Sequence, residues 1–170
     1  MGWFQRFNEG RKVLVETGTF RGQNVLNSLD DFDLIYSVES DWELYLEARR
    51  RLEGQPKAHL FHGDSVEFLE GLYLPEPAVF YLDAHWSGWG EPTPLPVLGE
   101  LRAIAKRRYP DVVVIDDMRL MGQASWSGED GTDWPRAYFD FSEATHEAIA
   151  DACPGRWEWA EDIDRLIIHR

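Results

Sequence analysis

Carboxylates recur at one kind of place in this 170-residue sequence, directly after short apolar runs. Glu16 closes the run from Lys12, Glu39 the run from Asp33, and Asp83 the run from Ala78; Asp64 follows Ala58-His59-Leu60-Phe61-His62, and Asp116-Asp117 close Val112-Val113-Val114-Ile115. Singly, each has an ordinary explanation, because Asp and Glu favour turns and helix N-termini. Five runs out of five imply a site. A ring of carboxylates favours a cationic ligand and opposes pyrophosphate. The first turn, Glu16-Thr17-Gly18-Thr19-Phe20-Arg21-Gly22, adds a backbone able to come close to that ligand. Gly18 allows a tight turn and close approach, and Gly22 allows a helix to pack closely on a strand. With a single central glycine between Thr17 and Thr19, the loop departs from the G-x-G-x-x-G of dinucleotide sites. Glu39 lies 23 residues after Glu16, near the ~20-residue offset at which an acid holds ribose hydroxyls. In His62-Gly63-Asp64-Ser65, Asp64 and a backbone N–H can read an adenine edge. With Glu67 three residues on, Asp64 equally reads as a helix cap.

These residues need elements that hold them in one row. The apolar runs are too short and too β-branched for helices, and their near-continuous hydrophobicity suits a parallel sheet covered on both faces. Helical patterns alternate with them. Asp41 caps a helix with Trp42, Leu44, Tyr45, Ala48 and Leu52 on its apolar face and Gly54 beyond its end. Thr93-Pro94 opens another, carrying Val97, Leu98, Leu101, Ile104 and Ala105, and Ser142 begins the last, which Pro154-Gly155 stops. Arg156–Ala160 and Asp164–His169 are too close in sequence for a crossover and form an antiparallel pair. The expected fold is α/β: a doubly wound, Rossmann-like, seven-stranded sheet of five parallel strands plus a C-terminal antiparallel pair, helices on both faces, in one domain over residues 1–170. In such sheets ligands bind at the carboxyl ends of the strands. Met118 to Arg136 reads as one long loop.

Composition narrows the function. Seventeen Lys and Arg stand against 31 Asp and Glu, a formal net charge of −14 that repels nucleic-acid backbones. The clusters Arg49-Arg50-Arg51 and Lys106-Arg107-Arg108 fall at helix ends, where they complement the helix dipole. No apolar run reaches the ~20 residues of a membrane helix, and Met1–Arg6 lacks a signal-peptide core. Cys153 is the single cysteine, which excludes an intrachain disulfide and a cysteine zinc site. A cytoplasmic protein with no nucleic-acid or membrane partner is expected.

The ordered motifs Glu-Thr-Gly-Thr-Phe-Arg-Gly, Val-Glu-Ser-Asp, Gly-Asp-Ser, Tyr-Leu-Asp-Ala-His-Trp and Val-Ile-Asp-Asp resemble those of class I S-adenosylmethionine-dependent methyltransferases, from Val13 to Asp117. The terminal strand pair is similar to that family's reversed sixth and seventh strands. The resemblance implies that Glu16, Gly18, Thr19 and Gly22 lie beside the methionine portion of the cofactor. It places Glu39 with Ser40 at the ribose, Asp64 with Ser65 at adenine, and Asp83 with His85 at the methyl group. S-adenosylhomocysteine is then a product, the acceptor a small molecule, and O-methylation the first expectation. His85, aided by Asp83, is the candidate base, since imidazole accepts a proton near neutral pH.

Asp83, Asp116 and Asp117 further resemble the strand-end aspartates of metal-dependent O-methyltransferases, and three carboxylates suit Mg²⁺ or Ca²⁺. Their other reading is as solvated acids, with Asp117 capping the next segment. About a dozen residues precede the first strand, where that family carries covering helices. Cover for the acceptor is therefore expected from Trp86–Pro92, from the Met118–Arg136 loop or from another subunit. Trp86, Trp89, Trp126 and Trp134 serve either as loop packing or as a stacking wall. Two other functions stay open: a cofactor-binding module without catalysis, and a nicotinamide-dependent oxidoreductase, which the missing glycines disfavour.

Overall fold

The computed structural model describes residues 6–84, 95–126, 138–160 and 164–170. Its elements run β1 (Val13–Thr17), α1 (Gln23–Ser28), β2 (Leu34–Glu39), α2 (Trp42–Arg51), β3 (Ala58–His62), α3 (Ser65–Gly71), β4 (Ala78–Leu82), α4 (Val97–Ala105), β5 (Val112–Ile115), β6 (Ala124–Trp126), β7 (Tyr138–Asp140), α5 (His146–Ala152), β8 (Arg156–Ala160) and β9 (Arg165–His169). Seven strands form one sheet in the order β3-β2-β1-β4-β5-β9-β8. β1 to β5 are parallel, β9 is antiparallel to β5, and β8 is antiparallel to β9. The strand order reverses between β1 and β4, and at their carboxyl ends such a sheet opens its binding crevice.

Alternation along the strands divides the core between the two faces. Val13, Val15, Phe80, Leu82, Val113, Ile115, Leu166 and Ile168 pack with Leu69 of α3, Val97, Leu101 and Ile104 of α4, and Ile149 of α5. Leu14, Ile35, Val79, Tyr81, Val112, Val114 and Ile167 pack with Val25 of α1, Leu52, Phe7 and Phe32. Glu16, Ser37 and Tyr81 share the parity of the second set, so polar groups continue that face at its carboxyl edge.

Asp41 caps α2 by accepting from Glu43 N and Leu44 N, and Asp64 caps α3 by accepting from Glu67 N. Four local expectations are corrected. The last helix begins at Thr145, whose hydroxyl accepts from Ala148 N, while Ser142 bonds back to Asp140. Pro96 caps α4, and the expected start at Thr93-Pro94 lies outside the described residues. Trp42 is 51% exposed rather than part of a buried stripe. The Met118–Arg136 stretch is not one loop: a 3-10 turn at Met118–Leu120 leads into β6, which pairs with β7 as a separate two-stranded ribbon.

At the opposite edge of the sheet Asp111 is fully buried. It accepts from Ala78 N at 3.0 Å and from Arg107 Nε at 2.9 Å, with Arg170 Nη1 at 3.7 Å. Removing one partner from a buried pair leaves the other uncompensated. Asp111→Asn is expected to lower stability by ~1–3 kcal/mol, read as a fall in urea midpoint at unchanged m value; an unchanged midpoint would show the network to be neutral.

Candidate active site

The turn after β1 is fixed from both sides. Gly18 N and Thr19 N both donate to Val38 O, at 3.0 and 3.1 Å, and Asp83 N donates to Thr17 O at 3.1 Å. Gly18 has φ +81°, and a Cβ placed there would stand 2.3 Å from the Asp83 carbonyl oxygen. The ends of β1 and β4 thus touch backbone to backbone, and only glycine fits between them. Gly22 also has a positive φ, but its neighbours are the Leu52 and Ala48 side chains. It lets α1 approach α2, not a strand as the spacing implied.

Glu16 is fully buried. Its Oε2 accepts from Ser37 Oγ at 2.5 Å, and Thr19 Oγ1 lies 2.6 Å from Ser37 Oγ. With Ser37's one proton committed to Glu16, Thr19 is the donor in that second bond. Glu16 Oε1 is buried with no hydrogen-bond partner. Burial, opposed by the Ser37 bond and the nearby Asn24 side chain and reinforced by the charges of Asp83 and Glu39, pushes the Glu16 carboxyl up to about 8. Such a group is neutral at pH 7 until a cation arrives.

Glu39 is 7% exposed. Its Oε2 accepts from Phe20 N at 2.7 Å and its Oε1 from Asp41 N at 2.9 Å. The helix-start reading holds, and each carboxylate oxygen keeps a second lone pair. Ser40 is exposed, with its carbonyl 3.1 Å from His62 Nε2. Ser65 is buried beneath the Asp64 cap. Glu16, Gly18, Thr19, Glu39 and the Asp83 backbone therefore meet at the switch point, with Ser40 and Asp64 farther along the same edge. His85, Trp86, Trp89 and Trp134 lie outside the described residues.

The expected metal trio does not assemble. Asp116 Oδ2 accepts from the Tyr81 hydroxyl and from Arg165 Nη2 at 2.8 Å, while its Oδ1 accepts from Asp117 N. Asp117, at φ +53°, makes no side-chain cap and pairs with Arg119 at 2.6 Å. Guanidinium groups thus occupy one oxygen each of Asp116 and Asp117, and among the described residues no cluster of three His, Cys, Asp or Glu could hold a metal ion. No chemistry is assigned to a metal. Reading carboxylates alone overlooked Ser37, Tyr81 and Arg165. Strand parity was the available signal, since Tyr81 is in register with Glu16.

No family model matches the chain, and no curated protein matches it in sequence. Solved structures do. The glycopeptide N-methyltransferase MtfA, in complex with S-adenosylmethionine, is similar at TM-score 0.59 and 11% identity, over 96% of this chain and 88% of that one. An amino pentose methyltransferase from Micromonospora echinaspora, also with the cofactor bound, is similar at 0.58 and 15%, over 98% and 87%. The mitomycin 7-O-methyltransferase MmcR is similar at 0.53 and 19%, over 95% of this chain. The chain spans 49% of MmcR's length and 39% of that of the 23S rRNA methyltransferase ErmE. No helix among the described residues is long and apolar enough to cross a membrane.

Proposed function

We propose that this chain, whose fold is that of the class I S-adenosylmethionine-dependent methyltransferases, methylates a small-molecule acceptor, in the first instance at oxygen. The observation that carries the reading is the close approach of Gly18 to the Asp83 carbonyl at the switch point, beside the buried carboxyl of Glu16. The residues present fit the cofactor. Glu16 answers its cationic methionine portion, Glu39 has lone pairs for the ribose hydroxyls, and Asp64 with Ser65 borders adenine. When bound, the cofactor supplies an electrophilic methyl group on a sulfonium. The protein's part is to orient the acceptor and exclude water. His85, two residues beyond Asp83 in the sequence, is proposed to take the acceptor's proton.

Calorimetric titration with S-adenosylmethionine, S-adenosylhomocysteine and NAD tests the ligand class, and turnover on phenols, catechols and sugars tests catalysis. Binding without turnover on any acceptor would make the chain a binding module; binding of NAD alone would overturn the reading. Glu39→Ala is expected to weaken cofactor binding by ~1.5–3 kcal/mol, the scale for a hydrogen bond to a charged group. Unchanged affinity in that variant would reject the ribose assignment. His85→Gln is expected to lower turnover by ~10²-fold or more with cofactor affinity kept. Weaker cofactor binding instead would make His85 a wall of the methionine pocket.

A further inference from the structure

Among the described residues β3 is an edge strand, paired only with β2. Natural edges are blunted by lysine, proline or bulges; Ala-His-Leu-Phe-His has no Lys, Pro, Asp or Glu. Lys57 O and Gly63 N both bond to β2. In a parallel ladder alternate residues face the same neighbour, so the backbone groups of Leu60 and His62 and the carbonyl of Ala58 point outward. Ala58 N is held by Gln55 O.

The surroundings of this edge carry opposite charges at opposite ends. α2 packs over both β2 and β3, with Asp41 and Glu43 at its first turn and Arg49, Arg50 and Arg51 at its last. Between its last turn and the start of β3 lies a groove of about 390 Å³ lined by Arg49, Arg50, Leu52, Glu53, Ala58 and Leu60. At the other end Trp42, half exposed, stands edge-on to His62 at 4.9 Å. On the opposite face Phe61 is 40% exposed, leaning on Tyr36 and Phe68.

We infer that a second copy of this chain docks on β3 about a two-fold axis, joining the two sheets edge to edge. Centring the axis on Leu60 pairs Leu60 with its counterpart through two N–H to carbonyl bonds. His62 N then meets the partner strand's outward carbonyl at the position of Ala58, and the Ala58 N–H, already satisfied, is not needed. His59 falls opposite Phe61 of the second strand, twice, as an aromatic cross-strand pair. Strands ~4.8 Å apart put the two α2 helices about 10 Å from each other, within helix-packing distance and antiparallel. Each acidic first turn then faces an arginine last turn, and each Trp42 faces the other copy's groove and its guanidinium groups, a cation–π arrangement. An isologous interface needs such self-complementarity. An acidic partner would find only the arginine half of the surface satisfied; the second copy satisfies both halves.

Sedimentation velocity on the full chain, from about 1 to 100 µM at ~0.15 M salt, is expected to show a species of twice 19.7 kDa. Arg50→Glu and Glu43→Arg, both at exposed positions, should each raise the dissociation constant at least ~10-fold with the thermal melt unchanged, and together restore dimerisation. A monomer throughout this range overturns the proposal. So does a dimer that neither single reversal weakens, or one that the double reversal fails to restore.

Discussion

Gly18→Ala is expected to abolish measurable cofactor binding. Two independent effects act at that position. The backbone there has φ +81°, a conformation that costs an L-residue roughly 1–2 kcal/mol. The added methyl carbon would also meet the Asp83 carbonyl oxygen at 2.3 Å and its carbon at 2.8 Å. Both of these are backbone atoms, so the end of β4 has to move away from the end of β1. A displacement near 1 Å at a reacting centre costs about 10²-fold, and here it falls on the walls of the crevice itself. The loss of affinity should reach ~10³-fold, about 4 kcal/mol. Gly22→Ala provides the contrast. Its added carbon meets the flexible Leu52 side chain at 3.0 Å, so cofactor affinity should fall far less. Equal losses in the two variants would show that the β1–β4 contact is not what forms the site.

Cofactor affinity is expected to rise with pH up to about 8, tenfold per unit, and then level off. Glu16, raised to about 8 by burial, is protonated in the empty site at neutral pH. A cation beside it favours the carboxylate, so binding below pH 8 expels a proton, a cost of 1.36 kcal/mol per unit. Between pH 6 and 8 the dissociation constant should fall about 50-fold, because Glu16 is already half ionised at its midpoint. Calorimetry at pH 6.5 in two buffers of different ionisation heat should register one proton released. Glu16→Gln removes the dependence, and a parent chain with pH-independent affinity would reject this role for Glu16. Stability moves the opposite way. The folded acid holds its proton more tightly than the unfolded one, so this stabilisation is complete below about 4.5 and lost as pH rises through about 8. The glutamine variant should therefore melt higher than the parent at pH 9.

Much of the scaffold was legible because its parallel strands are near-continuous apolar runs ended by acids. β1 to β5, β8 and β9 fall within a residue or two of the expected runs, as do the Asp41 and Asp64 caps. Exposure was harder to read. β3 looked like a buried strand, but as an edge it leaves His59, Phe61 and His62 exposed. The β6–β7 ribbon escaped notice because three-residue strands carry too little periodicity to stand out from a Gly- and Ser-rich segment. The last helix was placed three residues early because Ser142 and Thr145 are equally good caps by type, and tertiary contacts decide between them. Of the candidate site, the burial of Glu16 and Glu39 at the carboxyl ends of β1 and β2 was legible from their position after apolar runs. The arginine that pairs with Asp116 comes from β9, 49 residues later, and nothing local at Asp116 foretells it.

The place of β9 in the sheet has a consequence for synthesis. It sits between β5 and β8 yet follows both in the chain. While the polypeptide is still emerging, β1 to β5 can assemble in parallel, leaving Val112–Ile115 as an unpaired hydrophobic margin. β8 does not protect that margin, since among the described residues it pairs only with β9. Closure waits for β9, made after the other six strands of this sheet, a non-local pairing of the kind that slows folding and exposes sticky edges. Nascent chains stalled before Arg165 should accordingly be the species that chaperones hold and that aggregate first, and emergence of Arg165–His169 should be the step that closes the sheet.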